Sequence, residues 1–264
     1  MPSSTRAPAV AGSFYPADSG RLNDQLVQLL AEVDDPGGPP PKMLLVPHAG
    51  YVYSGPVAAH AYARLTGSRI ERVVLLGPAH RVPLRGLAAP TAEEFETPLG
   101  RVVIDRAAMA QLQDLPQVVA NDGAHALEHS LEVQLPFLQN VLGDFMLVPL
   151  AVGDASGDEV AEVLDRLWGG DETLIVISSD LSHYLPCAQA RRLDGATIAR
   201  VLALEAGIGT DEACGAFALN GALQVAHRRR LRARLLDLRN SGDTAGDSSR
   251  VVGYAAVAFD EPAP

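Results

Sequence analysis

The sequence predicts an α/β fold, a single domain built on a central mixed, largely parallel sheet flanked by helices. Three observations lead there. Short apolar runs suited to buried strands alternate along the chain with segments of helical periodicity. Three of those runs end directly in His or Asp, and the last two, residues 231–238 and 251–259, face each other across a Ser/Gly/Asp-rich loop as an antiparallel pair would. At 264 residues the chain lies within the range of one α/β domain, and no internal repeat divides it.

The N-terminal part, residues 1–41, reads as a loop, a helix and a connector belonging to the single domain 1–264. Residues 1–10 are polar and Pro-rich, and the following Ala11-Gly12-Ser13-Phe14-Tyr15-Pro16 mixes turn formers with two aromatics, as a loop packed over something would. Asp18 or Ser19 can cap a helix over 21–33, where Leu22, Leu26, Leu29, Leu30 and Val33 recur at helical spacing. The Asp, Gly and Pro residues of 34–41 forbid both helix and central strand.

Met43-Leu44-Leu45-Val46 is a buried strand, residues 47–56 turn, and a helix over 57–65 is capped from the Gly and Ser before it. Residues 71–76 form a second strand running into Gly77-Pro78-Ala79-His80. The interval from His48 to His80 suits one strand-helix-strand unit, so these strands are expected to be parallel neighbours. Residues 85–90 and 101–104 are short strands around a loop over 91–100, 105–115 is a helix, and Asn121-Asp122-Gly123 is a turn. Residues 125–142 carry a helical pattern broken at Pro136, with His125, Glu128, His129 and Glu132 on one side. A third strand spans 145–152, a helix capped by Ser156 spans 156–168, and a fourth strand, 173–178, runs into Ser179-Asp180-Leu181-Ser182-His183. Helices over 191–205 and 214–226 precede the closing strands.

The net charge of -11 argues against a nucleic-acid groove, since phosphate contacts need clustered Lys and Arg. The short Arg-rich run 227–234 reads as a solvated helix end or edge strand. Two cysteines cannot build a disulfide framework, no leader-like segment opens the chain, and no apolar run approaches the roughly 18 residues of a membrane span. A soluble, cytoplasmic protein with neither nucleic acid nor membrane as partner is the expectation.

In open α/β sheets ligands bind at the carboxyl edge of the strands. Three strand ends bring His48, His80 and the Asp180/His183 pair to that edge, and imidazoles beside an anionic group form a metal-binding set with open positions. Asp180 can orient His183, leaving His183 as either a ligand or a general acid/base. Cys214, at the start of a helix, reads as a metal ligand, a nucleophile of lowered pKa, or a small buried hydrophobe. Glu128 and His129 are expected behind the site or in its wall, with Tyr51 and Tyr53 as further walls. Cys187, His60 and His227 carry no such expectation.

Together, Ala11-Gly12-Ser13-Phe14-Tyr15-Pro16, Pro47-His48-Ala49-Gly50-Tyr51, Gly77-Pro78-Ala79-His80, Glu128-His129-Ser130-Leu131-Glu132, Ser178-Ser179-Asp180-Leu181-Ser182-His183 and Val252-Gly253-Tyr254 resemble the Memo family, whose bacterial and archaeal members are called AmmeMemoRadiSam system protein B. The resemblance spans nearly the whole chain in order. It implies a fold similar to class III extradiol dioxygenases, with His48, His80 and Cys214 as metal ligands and Asp180 and His183 as further pocket residues. It also implies iron, with copper as the softer alternative, because Cys214 stands where those dioxygenases have a carboxylate ligand; ring cleavage by their route does not follow. The implied function is a metal-dependent oxidoreductase acting on a small molecule or peptide, alongside a radical SAM protein and an AMMECR-type protein. A metal- or peptide-binding module without turnover, and a hydrolase or transferase using Cys214, are the alternatives.

Overall fold

A computed structural model describes residues 4–34, 37–244 and 246–262. Two residues of the expected connector, Asp35 and Pro36, and the first three residues of the N-terminal loop lie outside that range. In chain order the elements begin with β1 (Thr5–Arg6), α1 (Ser19–Ala31), β2 (Met43–Val46), α2 (Tyr51–Tyr62), a 3-10 turn (Ala63–Leu65), β3 (Arg72–Pro78), β4 (Leu87–Ala89), β5 (Glu94–Thr97) and β6 (Gly100–Ile104). Then follow α3 (Arg106–Ala110), β7 (Val118–Ala120), α4 (Asp122–Ala126), a 3-10 turn (Glu132–Gln134), α5 (Leu135–Leu142), β8 (Met146–Val152), α6 (Gly157–Arg166) and β9 (Thr173–Ser178). The chain closes with β10 (His183–Leu185), α7 (Cys187–Leu202), α8 (Ala216–Arg228), β11 (Arg232–Asn240), α9 (Ser241–Thr244) and β12 (Val251–Asp260).

The strands form one mixed sheet whose path runs β1-β5-β6-β8-β3-β9-β2-β12-β10, with β11 on β12 and β4 bridging β8 and β7. The centre, β6-β8-β3-β9-β2, is parallel throughout. Residues 73–78 and 173–178 are buried without alternation, the pattern of strands covered on both faces. Helix α8 packs on β3, β9 and α6, while α2 packs on β2 and β12 with α1 and α5 against it. Asp18 caps α1, and Ser156 with Glu159 forms a full capping box on α6. Arg228 and Arg229 pair with Asp165, and Arg234 pairs with Asp260, so the basic run is a solvated helix end leading into an edge strand.

Several local expectations differ. Helix α2 starts at Tyr51, six residues before the expected start, and runs through Pro56; the missing N–H there forgoes only one bond, to the carbonyl of exposed Val52. β2 and β3 are parallel but not adjacent, because β9 lies between them. The expected loop 91–100 contains β5, paired with β6 across a turn at Gly100 (φ 130°). α3 covers only Arg106–Ala110, and the turn at 121–123 is the start of α4, capped by Asn121. The helical pattern over 125–142 breaks at 127–131, ahead of Pro136, which sits comfortably in the first turn of α5.

Candidate metal centre

Three strands next to one another, β3, β9 and β2, each deliver a polar residue two positions past their last residue: His80 after Pro78, Asp180 after Ser178 and His48 after Val46. The register that pairs Val46 with Ser178 sets His48 beside Asp180, and the His48 N–H donates to Asp180 Oδ1 at 2.7 Å.

His48 is buried, with its ring Nδ1 2.8 Å from Ser178 Oγ. The Ser178 hydroxyl donates its one proton to the Ser130 carbonyl at 2.6 Å and accepts from Gln134 Nε2 at 2.8 Å. Gln134 is itself held by the Tyr62 hydroxyl on Oε1 and the Pro47 carbonyl on Nε2. Ser178 therefore has only a lone pair left for His48, so Nδ1 carries the proton and Nε2 presents a lone pair. That Nε2 lies 3.4 Å from Cys214 Sγ. Burial, reinforced by the neighbouring His80 and His129 rings, pushes the His48 pKa well below the usual imidazole value, which keeps the ring neutral.

His80 is fixed the same way by Glu128. Its N–H donates to Oε2 at 2.6 Å, and its Nδ1 lies 3.0 Å from Oε1, leaving Nε2 free. Glu128 also accepts from the N–H groups of His129 and Ser130, each at 2.9 Å. Burial alone would raise this carboxyl, but the His80 hydrogen bond and charge and the backbone donors outweigh it and hold the pKa at about 2. In the grouping of His80, Glu128 and His129 within ligand range, the Glu128 carboxylate is thus already engaged by four donors.

Cys214 comes from the turn before α8. Its N–H donates to the Asp180 carbonyl at 3.2 Å, and the N–H of Gly215 donates to Ser179 Oγ at 2.8 Å. A Cβ on Gly215 would stand 2.7 Å from Ser179 Cβ and 2.8 Å from the Ser178 carbonyl oxygen, so glycine lets the thiol approach the end of β9. The helix cap is Gly215, not Cys214, and burial followed by the Asp180 charge pushes the thiol up to about 12. This corrects the expectation of a lowered pKa. Ligand atoms of His48, His80 and Cys214 all lie within 4.8 Å of one another.

A cavity of about 470 Å³ adjoins this cluster, with Asp180, His129, His183 and Tyr53 among its lining residues. Burial holds the Asp180 carboxyl up at about 6, against the lowering effect of the His48 N–H and nearby imidazoles. His183 sits on β10, an edge strand, and is exposed. Asp180 was expected to orient it. Instead, the carboxylate binds the His48 N–H, and no hydrogen bond joins it to His183 among the described residues; the two act on each other only as charges. His129 is stacked on His80 at 4.8 Å and covered by Phe14 at 4.8 Å; burial lowers its pKa to about 4. Tyr51 and Tyr53, about 200° apart around α2, part company. Tyr53 lines the cavity, while Tyr51 is buried against Tyr15 and Phe137 and donates to the Val133 carbonyl at 2.8 Å. Tyr51 is therefore a core residue and not a wall.

The wall formed by residues 10–15 is anchored by Glu132, fully buried, which accepts from Arg6, the N–H groups of Ala9 and Val10, and the Tyr15 hydroxyl. Ser178, Ser130, Gln134 and Gly215 were not singled out from the sequence, although Ser130 and Ser178 stand inside its two most distinctive motifs.

Residues 6–258 match the family model described as "Memo-like protein". A MEMO1 family protein of Aquifex aeolicus is 38% identical over 96% of this chain and 98% of its own length. Those of Methanopyrus kandleri and Ignicoccus hospitalis are 39% and 37% identical, each over at least 96% of both chains.

Proposed function

The chain belongs to the Memo family, and from that membership and the geometry above we propose that it is a metal-dependent oxidoreductase whose single ion is held by His48, His80 and Cys214. The observation that carries the reading is the double commitment of Nδ1. Both imidazoles spend that atom on Ser178 or Glu128 and keep Nε2 for a ligand. His48 and Cys214 are spaced for an ion: bonds of about 2.1 Å to nitrogen and 2.3 Å to sulfur place N and S roughly 3.1–3.6 Å apart at square to tetrahedral angles, His48 Nε2 lies 3.4 Å from Cys214 Sγ, and the ligand atom of His80 lies within 4.8 Å of both. Two imidazoles and a thiolate suit iron, our first choice, and copper as its competitor.

When bound, such an ion would supply redox and Lewis-acid chemistry beside the cavity, behind its lining residues Asp180 and His129. The protein's own part is positioning and proton movement. Asp180, held near neutrality by burial, and His183, facing the cavity from β10, exchange protons with the substrate, a small molecule or peptide. His129, neutral and walled by Phe14, keeps water and charge away from the ligand cluster. The family resemblance supports placing the reaction beside a radical SAM protein and an AMMECR-type protein. A nucleophilic Cys214 fits less well, because a thiol held at about 12 stays protonated at neutral pH unless an ion takes its place.

Metal analysis of anaerobically purified protein tests the reading. Wild type should carry close to one ion per chain, and His48→Ala and His80→Ala should carry almost none; unchanged metal content in either variant would end it.

A further inference from the structure

The cavity beside the metal cluster has lining residues that the proposed chemistry does not use. Aromatic residues make up 5% of the chain, yet Phe14, Tyr53, Tyr184 and Tyr254 are among the fifteen residues lining this one cavity. Tyr184 stands out among them. It lies where the pairing of β10 with β12 slips between His183 and Leu185, its φ is +59°, and the residue is 62% exposed. A bulge that turns an aromatic ring outward in the left-handed region, beside a site, is a shape held by its surroundings against local strain.

Arg250 lines the same cavity, with its guanidinium 5.4 Å from the centroid of the Tyr184 ring. No carboxylate lies within ion-pair range of it among the described residues. The nearest candidate by position, Asp247, is committed to the N–H and hydroxyl of Ser249 at 2.9 and 2.6 Å. In a chain of net charge -11, an exposed guanidinium that lines a cavity beside an aromatic ring and has no carboxylate partner among the described residues is suited to take up an anionic group.

We propose that this cavity binds a flat organic carboxylic acid, its carboxylate on the Arg250 guanidinium, its planar body against Tyr184 and Tyr53, and its far end at Asp180 and the metal cluster. The volume of about 470 Å³ suits a small molecule, since such sites span roughly 300–1,000 Å³. Aromatic faces favour flat ligands by stacking, and a guanidinium distinguishes a carboxylate from its neutral amide by charge and by two parallel hydrogen bonds. The proposal rests on the metal-centre reading only for the reacting end of the ligand; the acid-binding end stands on its own residues.

Benzoate, benzamide and cyclohexanecarboxylate serve as probes, with calorimetric titration into wild-type and Arg250→Gln protein, each metal-free and metal-loaded. Wild type should bind benzoate saturably in both states, and both benzamide and the puckered cyclohexanecarboxylate at least about tenfold more weakly. Arg250→Gln, an exposed change whose folding circular dichroism checks, should weaken benzoate at least about tenfold and leave benzamide unchanged. Tyr184→Ala should narrow the preference for benzoate over cyclohexanecarboxylate. Benzoate binding that is undetectable, equal to benzamide, or indifferent to Arg250 would overturn the proposal, as would binding confined to the metal-loaded protein and independent of Arg250. Because the metal-free arm reads Arg250 alone, a failed metal centre and a failed acid site give different results.

Discussion

Ser178 sets the tautomer of His48. The ring Nδ1 lies 2.8 Å from the Ser178 hydroxyl, whose proton is already given to the Ser130 carbonyl, so the ring must donate there and must offer Nε2 to whatever sits beside Cys214. A residue in the last position of one strand thus decides which atom of a residue past the end of the next strand can bind.

Ser178→Ala removes that acceptor and leaves Gln134 Nε2 with only its bond to the Pro47 carbonyl. Loss of a group that orients a ligand typically costs 10–100-fold in metal affinity. Titration against a competing chelator should show a loss of that size, with the fold intact by circular dichroism. Unchanged affinity would mean that the ring is oriented by packing alone.

Gly215→Ala should act on Cys214 without touching it. The new Cβ would press on Ser179 Cβ and the Ser178 carbonyl at under 3 Å, and such overpacking typically costs about 1–3 kcal/mol. Urea denaturation should report that loss, and metal content should fall because the thiol is pushed off the end of β9. Normal metal content with normal stability would show that the turn has slack.

Glu132→Ala leaves Arg6 buried with two carbonyl acceptors but without its carboxylate partner, and strips the acceptors from Ala9, Val10 and Tyr15. Breaking a buried pair from one side costs about 3–5 kcal/mol. Thermal unfolding should fall accordingly, and limited proteolysis should cut first within residues 4–15, the arm whose Phe14 covers His129.

His125 gives the fold a dependence on acid that is separate from the metal site. Its Nε2 donates to the Ala88 carbonyl at 2.9 Å, its Nδ1 is buried without a partner among the described residues, and burial, opposed in part by that bond, lowers its pKa to about 4. The unfolded chain takes up this proton near pH 6.5. Stability is therefore fully present above about 6.5 and is lost as pH falls toward 4, at up to about 1.4 kcal/mol per pH unit. Urea midpoints measured from pH 7 to 4.5 should show a shallower decline in His125→Gln than in wild type; parallel declines would assign the acid sensitivity elsewhere.

Much of the site was legible because it lies at strand ends. An apolar run followed within four residues by His or Asp is visible in the sequence for His48, His80 and Asp180, and parallel pairing makes such positions converge. What could not be read was set by tertiary contacts. The irregular stretch 127–131 is shaped by Glu128 gathering four donors, so its helical periodicity misled. The early start of α2 depends on the N-terminal loop, where the Phe14 carbonyl accepts from Tyr51 N–H, and that start turns Tyr51 into the core. The thiol's raised pKa follows from enclosure beside Asp180, which a position just ahead of a helix does not reveal. The bulge that turns Tyr184 outward has no local signal at all.

X-ray absorption at the metal edge of anaerobically purified protein tests the central claim most directly. Two imidazole nitrogens and one sulfur should appear in the coordination shell, with the sulfur lost in Cys214→Ser and one imidazole lost in His80→Ala. A shell of nitrogen and oxygen alone in the wild type, or a sulfur that persists in Cys214→Ser, would contradict the assignment of His48, His80 and Cys214 as the ligands.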